Sequence, residues 1–237
     1  MNEFFNRRVA AVLFLGFSSG LPLALSGGTL QAWLTVEGVD IKTIGLFSLV
    51  GIPYTLKFLW SPLMDRFVVP VFGRRRGWII VSQVFLIGII LGMSATSLQN
   101  GLWVLAFLAF FLTFVSASQD VAIDAYRTEV LHERERGMGA AVSVTGYRVA
   151  MLVSGALALI LSEYIGWRAT YILMALIMFL GVTAAWFGPE PTNPGIPPAT
   201  TTFLYFLNII PKAKLPLSFS NVLFIVFIKS KFFKKSV

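Results

Sequence analysis

The chain has 237 residues, 57% of them hydrophobic and 13% charged; a soluble domain carries about 25% charged residues and cannot hide so much apolar surface. Its net charge of +8 is uneven, with 13 Lys and Arg against 11 Asp and Glu in residues 1–195 and six Lys with no acid in residues 196–237. That pattern excludes a nucleic-acid partner, because phosphate recognition needs basic charge gathered on a folded face.

No cysteine is present, which excludes disulfides, thiolate chemistry and Cys-held metal. The single histidine, His132, lies in a polar loop, where an ordinary role outweighs a ligand role. The sequence has no HExxH, GxxxxGK[ST] or GxSxG motif, so it offers no support for an enzyme, a cofactor or a metal.

A membrane-spanning helix needs about 20 mostly apolar residues. Six stretches qualify in chain order: 9–34, 41–64, 77–96, 102–124, 140–161 and 168–187. Strands of a membrane barrel would alternate over about 10 residues, and no such alternation occurs. The expected fold class is an all-α membrane protein, a bundle of six transmembrane helices. Arg7 and Arg8 precede the first run as in a signal peptide, but five more runs follow, so a retained first helix is expected. Gly16 and Gly20 in the first span, and Gly88 and Gly92 in the third, stand four apart and predict close helix packing. Gly20-Leu21-Pro22 predicts a local weakness in the first helix, read equally as a simple kink or as a break of the kind that lines transport sites.

Loop charge sets the orientation. Arg7, Arg8, Arg66, Arg74, Arg75, Arg76, Arg127, Arg134 and Arg136 fall on one side, and only Lys42 and Arg168 on the other. Positive loops stay inside, so the N-terminus is expected in the cytoplasm.

Four ionisable residues fall inside or near the spans: Lys57, Asp120, Asp124 and Arg148. Insertion scales assign each a penalty of about 2.5–3.5 kcal/mol at the bilayer centre, so charge there is a functional-site hypothesis by default. Counted from the nearest loop charge, Lys57, Asp120 and Arg148 lie about 10–15 Å deep at 1.5 Å per residue, with Asp124 shallower. Asp120 and Asp124 share one helix face at i and i+4, and Arg127 continues it. The set sums to zero and reads either as charges around a polar cavity or as an ion-pair network holding the bundle. Two acids a turn apart disfavour double ionisation, which suits Asp120 and Asp124 to proton coupling. Gln119, Gln31, Tyr147 and Tyr54 add polar groups able to bond a solute or a neighbouring helix.

The loop after the second span, Ser61-Pro-Leu-Met-Asp65-Arg66 followed by Gly73-Arg74-Arg75-Arg76, resembles the Gly-x-x-x-Asp-Arg-x-Gly-Arg-Arg signature of the major facilitator superfamily. Ser61 stands at the first glycine, and five extra residues separate Arg66 from Gly73. Gly166-Trp167-Arg168 before the sixth span is also common there. A narrower set resembles the AmpG-type muropeptide permeases: Ser19-Gly-Leu-Pro-Leu23, Thr29-Leu-Gln-Ala-Trp-Leu34, Leu56-Lys-Phe-Leu-Trp-Ser-Pro62, Ser118-Gln-Asp-Val-Ala-Ile-Asp-Ala-Tyr126 and Gly146-Tyr-Arg148. Acetyl-CoA-type transporters share part of it. The resemblance covers about residues 5–195 and implies one half of a twelve-helix fold with substrate between the halves. It further implies a proton-linked importer of anhydro-muropeptides, which are sugar–peptide fragments of the cell wall, in the bacterial inner membrane. Asp65, Arg66, Arg74, Arg75 and Arg127 would then belong to a conformational gate at the cytoplasmic end.

The expected organisation is a six-helix unit over residues 1–190 and an atypical tail over 191–237. The tail carries seven Phe and six Lys after residue 195. It reads as a cytoplasmic linker with a segment held at anionic lipid, or as a foreign reading frame after a frameshift or truncation; the loss of every acid favours the second. The competing functional reading is a non-transporting membrane subunit or remnant. Partners expected on either reading are membrane lipid and, for transport, a proton, a small sugar–peptide and a second half or second copy.

Overall fold

The computed structural model describes residues 6–66, 74–96 and 98–190. The chain divides into two compact units, 1–196 and 197–237, and the description concerns the first; the expectations for the tail lie outside the described residues.

Helix α1 (Arg7–Ser26) starts where the Asn6 side chain accepts from the amides of Arg8 and Val9, satisfying two of the donors that a helix start leaves open. Pro22 sits inside α1 without ending it. The expected weakness lies five residues later, at Gly27 (φ −101°, ψ −110°), after which α2 (Gly28–Val36) continues the run. Ser26 Oγ donates to the carbonyl of Pro22, 2.9 Å away, so this hydroxyl is satisfied within its own helix.

The second apolar stretch is not one helix. It is α3 (Ile41–Phe47), a 3-10 turn (Ser48–Gly51), α4 (Ile52–Leu56), a second 3-10 turn (Lys57–Leu59) and α5 (Ser61–Arg66). Pro53 and Pro62 lack amide donors and Gly51 adds backbone freedom, so a continuous ladder cannot form. Buried carbonyls in such a break need side-chain donors; Thr113 Oγ1 supplies one, 2.6 Å from the carbonyl oxygen of Val50.

Three longer elements follow: α6 (Arg74–Ala95), α7 (Leu98–Val130), bent at Gly101, and α8 (Arg136–Leu152). A π-helical turn (Val153–Leu157) leads from α8 into α9 (Ala158–Phe187). Inside α9, Gly166 takes φ 78° and ψ 161°, a conformation that only glycine adopts without strain. Four stretches are long and apolar enough to cross a membrane: Arg7–Val36, Arg75–Ala95, Gly101–Val130 and Glu133–Phe187. The last has 55 residues, about 80 Å as one helix against a core of about 30 Å, and Gly166 interrupts it.

The described unit is wholly helical, with α1 packed on α8 and α6 packed on α7 and α9. Gly16 abuts the Ser143 backbone, Gly20 the Tyr147 carbonyl, and Gly146 the Leu13 carbonyl and Phe17 amide, so a Cβ at any of them would overlap main chain. The other glycine pair behaves differently: Gly88 meets nothing within 4 Å, and Gly92 meets only the Leu108 side chain. One apolar core gathers Leu21, Leu25, Leu30, Trp33, Ile90 and Met174, and another Val12, Leu15, Ile79 and Tyr126. Phe107, Phe110, Phe111, Leu176 and Phe179 are exposed, as helices facing lipid require.

One end of the bundle is tied by polar bonds. Arg7 Nε donates to the carbonyl of Phe187 at 2.7 Å, and Arg76 Nε to that of Ala185 at 2.8 Å. Cations thus meet the open carbonyls at the end of α9. Tyr126 Oη adds a bond to the carbonyl of Pro189, and Arg8 donates to His132 Nε2.

Candidate transport site

Three segments bring polar groups to Asp120. Ser19 Oγ of α1 donates to Asp120 Oδ1. Lys57 Nζ, in the 3-10 turn of the broken second segment, stands 3.9 Å from Asp120 Oδ2. That is too far for a hydrogen bond, but unit charges at about 4 Å attract by about 4 kcal/mol at an effective dielectric near 20, which offsets much of what burying them costs. The Lys57 side chain is 37% exposed and that of Asp120 13%, so the pair lies at a surface of the unit. The break in the second segment turns Lys57 toward α7. Trp60 holds the turn there, donating from Nε1 to Ser118 Oγ at 3.0 Å and packing its ring on Phe114 at 4.8 Å.

Asp124 pairs within its own helix, with Arg127 Nη2 3.0 Å from Asp124 Oδ1, and its side chain is 58% exposed. Arg148 lies exposed on α8, with no hydrogen bond or ion pair among the described residues. The four charges expected in one set therefore separate into an inter-segment pair, an intrahelical pair and a single arginine. Tyr147, the neighbour of Arg148, is half-buried and within Coulomb range of Asp120.

Gln119 is fully buried, and neither its Oε1 nor its Nε2 has a hydrogen-bond partner. Gln31 Nε2 reaches Ser48 Oγ at 3.3 Å, across the α2–α3 turn. Tyr54 Oη is buried beside Ser116 and Ser26, in Coulomb range of Asp120. Of the gate candidates, Arg75 is buried and bonds Glu129 at 2.8 Å, and Arg127 faces Asp124. The side chains of Asp65, Arg66 and Arg74 lie outside the described residues. Among the described residues no three His, Asp or Glu side chains converge as metal ligands would.

Sequence reasoning gave Ser19 and Trp60 no role. Both stand in the short motifs that resemble the permeases, and that was the only available signal, since an isolated serine or tryptophan in an apolar run carries none.

Long apolar helices, a discontinuous second segment and a charge pair between two apolar segments define a multi-pass membrane protein built like a transporter. The profile of the Major Facilitator Superfamily matches residues 12–233, and the chain belongs to that family. It is 54% identical over 187 residues to the anhydromuropeptide permease of Escherichia coli (strain K12), covering 78% of this chain and 38% of that protein. An uncharacterised Haemophilus influenzae protein is 38% identical over 181 residues, covering 76% of this chain and 43% of its own length. Putative transporter AmpG 4 of Rickettsia felis is 35% identical over 175 residues, covering 72% of this chain and 42% of that protein. The chain thus spans about two fifths of the length of the relatives it matches. The Escherichia coli relative is named as a permease and the Rickettsia felis one as a putative transporter, and the superfamily is one of carriers, not enzymes.

Proposed function

We propose that the chain forms the N-terminal half of a proton-coupled importer of anhydro-muropeptides in the bacterial inner membrane. Six spans make up that half: α1–α2, the broken α3–α5, α6, α7, α8 with its π turn as far as Gly166, and α9 beyond Gly166. The N-terminus is cytoplasmic, following the excess of arginine in the loops on that side. The solute, a sugar carrying a short peptide, sits between this half and a second half or a second copy, and alternating access rocks one against the other.

The Lys57–Asp120–Ser19 cluster carries this reading. In hydrocarbon a carboxylate is held by compensating groups, and here it meets one cation at Coulomb distance and one hydroxyl. Protonation of Asp120 removes the attraction to Lys57 and so loosens one of the ties between the broken second segment and α7, leaving the Trp60–Ser118 and Thr113–Val50 bonds. That links a proton to movement of a segment lining the cavity. Asp124 is the second coupling acid, with Arg127 as its local counter-ion at the gate end alongside Asp65, Arg66, Arg74 and Arg75. Arg148, Tyr147, Gln31 and Gln119 are assigned to the solute or to its charge balance.

The test is uptake of labelled anhydro-muropeptide by this half joined to a matching second half. Asp120→Asn should abolish accumulation against a gradient, while exchange of solute down its gradient survives at matched expression. Full uphill accumulation by Asp120→Asn would show that Asp120 does not carry the proton.

A further inference from the structure

Two adjacent serines on α1 bond to different helices. Successive residues of a helix stand about 100° apart around its axis. Ser19 donates to Asp120 on α7. Ser18 meets Gln83 on α6, whose Nε2 donates to Ser18 Oγ at 2.8 Å. Ser18 Oγ donates in turn to the carbonyl of Leu15 at 2.9 Å, so the hydroxyl is used both as acceptor and as donor. Gln83 and Ser18 are both fully buried. Gly181 of α9 leaves room for the bridge, since a Cβ there would overlap the Gln83 amide and the Ser18 Cβ.

The Gln83 amide has no second bond, because its Oε1 is buried and without a partner. Losing Ser18 would leave the whole amide unbonded in an interior without bulk water, where an unmet polar group is costly. The bond therefore fixes which way α1 is turned. Glycine contacts with α8 set how near the two helices lie, whereas a hydrogen bond is directional and selects an angle. With Ser18 held toward α6, Ser19 is left facing α7 and its hydroxyl reaches the carboxylate.

We propose that Gln83 is a positioning residue for Asp120, holding Ser18 so that the neighbouring Ser19 is delivered to the carboxylate. Neither partner of the Gln83–Ser18 bond ionises, so its hold on α1 does not depend on the charge of Asp120. The tie to Lys57 does depend on it. When the acid takes a proton, α1 keeps its turn and the Ser19 hydroxyl stays in place, donating to the carboxylate and accepting from the protonated acid. The part of Gln83 in coupling rests on the proton-coupled reading; its part in placing Ser19 does not.

Two measurements separate these parts. Gln83→Met keeps length and Ser18→Ala is a small change, and each removes the bridge. Both leave in place the ionisable groups around Asp120, which are Lys57 from the second segment, Tyr54 from α4, Tyr147 from α8 and Asp124 from its own helix. The first measurement is the pH-difference infrared spectrum of the protein in lipid nanodiscs, with the Asp120 carboxyl band identified by its absence in Asp120→Asn. Ser19→Ala should shift that band. Gln83→Met and Ser18→Ala should each shift it the same way, and neither should shift it further when Ser19 is already Ala. A band unmoved by Ser19→Ala or by both bridge variants, or moved again in the Ser19→Ala background, overturns the inference whatever the protein transports. The second uses the protein joined to its second half. Gln83→Met should displace the pH profile of uphill uptake in the direction that Ser19→Ala does and leave exchange intact. An unchanged profile, or equal loss of uptake and exchange, overturns the part in coupling. Band shifts as expected with no proton-linked uptake by the unaltered protein sink the transport reading and leave Gln83 as the residue that places Ser19.

Discussion

The first and second segments meet the same demand, that backbone groups bond internally where water is absent, by opposite means. Helix α1 stays continuous past a proline and presses bare backbone against α8 at Gly16 and Gly20. The segment from Ile41 to Arg66 breaks into short pieces whose open carbonyls turn to side chains of α7, and it carries Lys57 to Asp120 in the break. The first arrangement leaves little freedom, since neither backbone can move without separating the pair. The second is held by bonds that can be exchanged singly. Rigidity and chemistry are thus divided between the two.

Replacing Gly20 tests that division most severely. Gly20→Leu should prevent accumulation of folded protein, and Gly20→Ala should lower stability by about 1–3 kcal/mol, the usual penalty of overpacking; the yield of folded protein in the membrane reads the first and thermal unfolding of purified protein the second. Gly88→Ala, where a Cβ meets nothing within 4 Å, should melt like the parent. Equal losses at Gly20 and Gly88 would mean that the α1–α8 contact is not what stiffens the bundle.

The charge pair comes next. Lys57→Met and Asp120→Asn should each cost about 1–2 kcal/mol, less than a fully buried pair because the Lys57 side chain is 37% exposed. Combined, they should cost less than their sum, since the double variant leaves no unpaired charge. Strict additivity in a double-mutant cycle would show that the pair contributes nothing to holding the second segment on α7.

The smallest effect concerns the entrances of the two segments. Helix α1 is capped by Asn6, which does not titrate, and α3 by Asp40, whose carboxylate accepts from the amides of Lys42 and Thr43. The Thr43 hydroxyl, then its amide, hold the Asp40 carboxyl below its ordinary range. An acid whose folded-state value is depressed adds stability above its unfolded value and loses it as pH falls through the folded one. The first turn of α3 should therefore loosen below about pH 4 while that of α1 does not. NMR shifts of the Thr43 and Val9 amides compare the two, and Asp40→Asn should flatten the response. A pH-independent Thr43 amide in the parent protein would remove the asymmetry.

The apolar runs were legible because length and hydropathy are summed over many residues. The broken second segment was not: Pro53, Gly51 and Lys57 sit in a run whose average hides them, and the bonds that make the break tolerable, such as Thr113 to Val50, come from a helix about 60 residues away. The charges illustrate a second limit. Depth along a helix can be counted from sequence, and it put Arg148 in the layer of Lys57 and Asp120. The side of α8 that faces α1 is set by where glycine permits contact, and that side holds Gly146 and Tyr147, leaving Arg148 exposed. Gly16 and Gly20 announced close packing as Gly88 and Gly92 did, but only the first pair had a backbone to meet.

The bond from Arg7 to Phe187 joins residues 180 positions apart. A ribosome adding about 5–20 residues per second takes about 9–36 s to make that length. During that interval the Phe187 carbonyl is not there for Arg7 to hold, and lipid headgroups can serve as acceptors for it. Closure of the bundle then exchanges lipid for protein at this one side chain, so the seventh residue waits for the end of α9 before it takes its final partner.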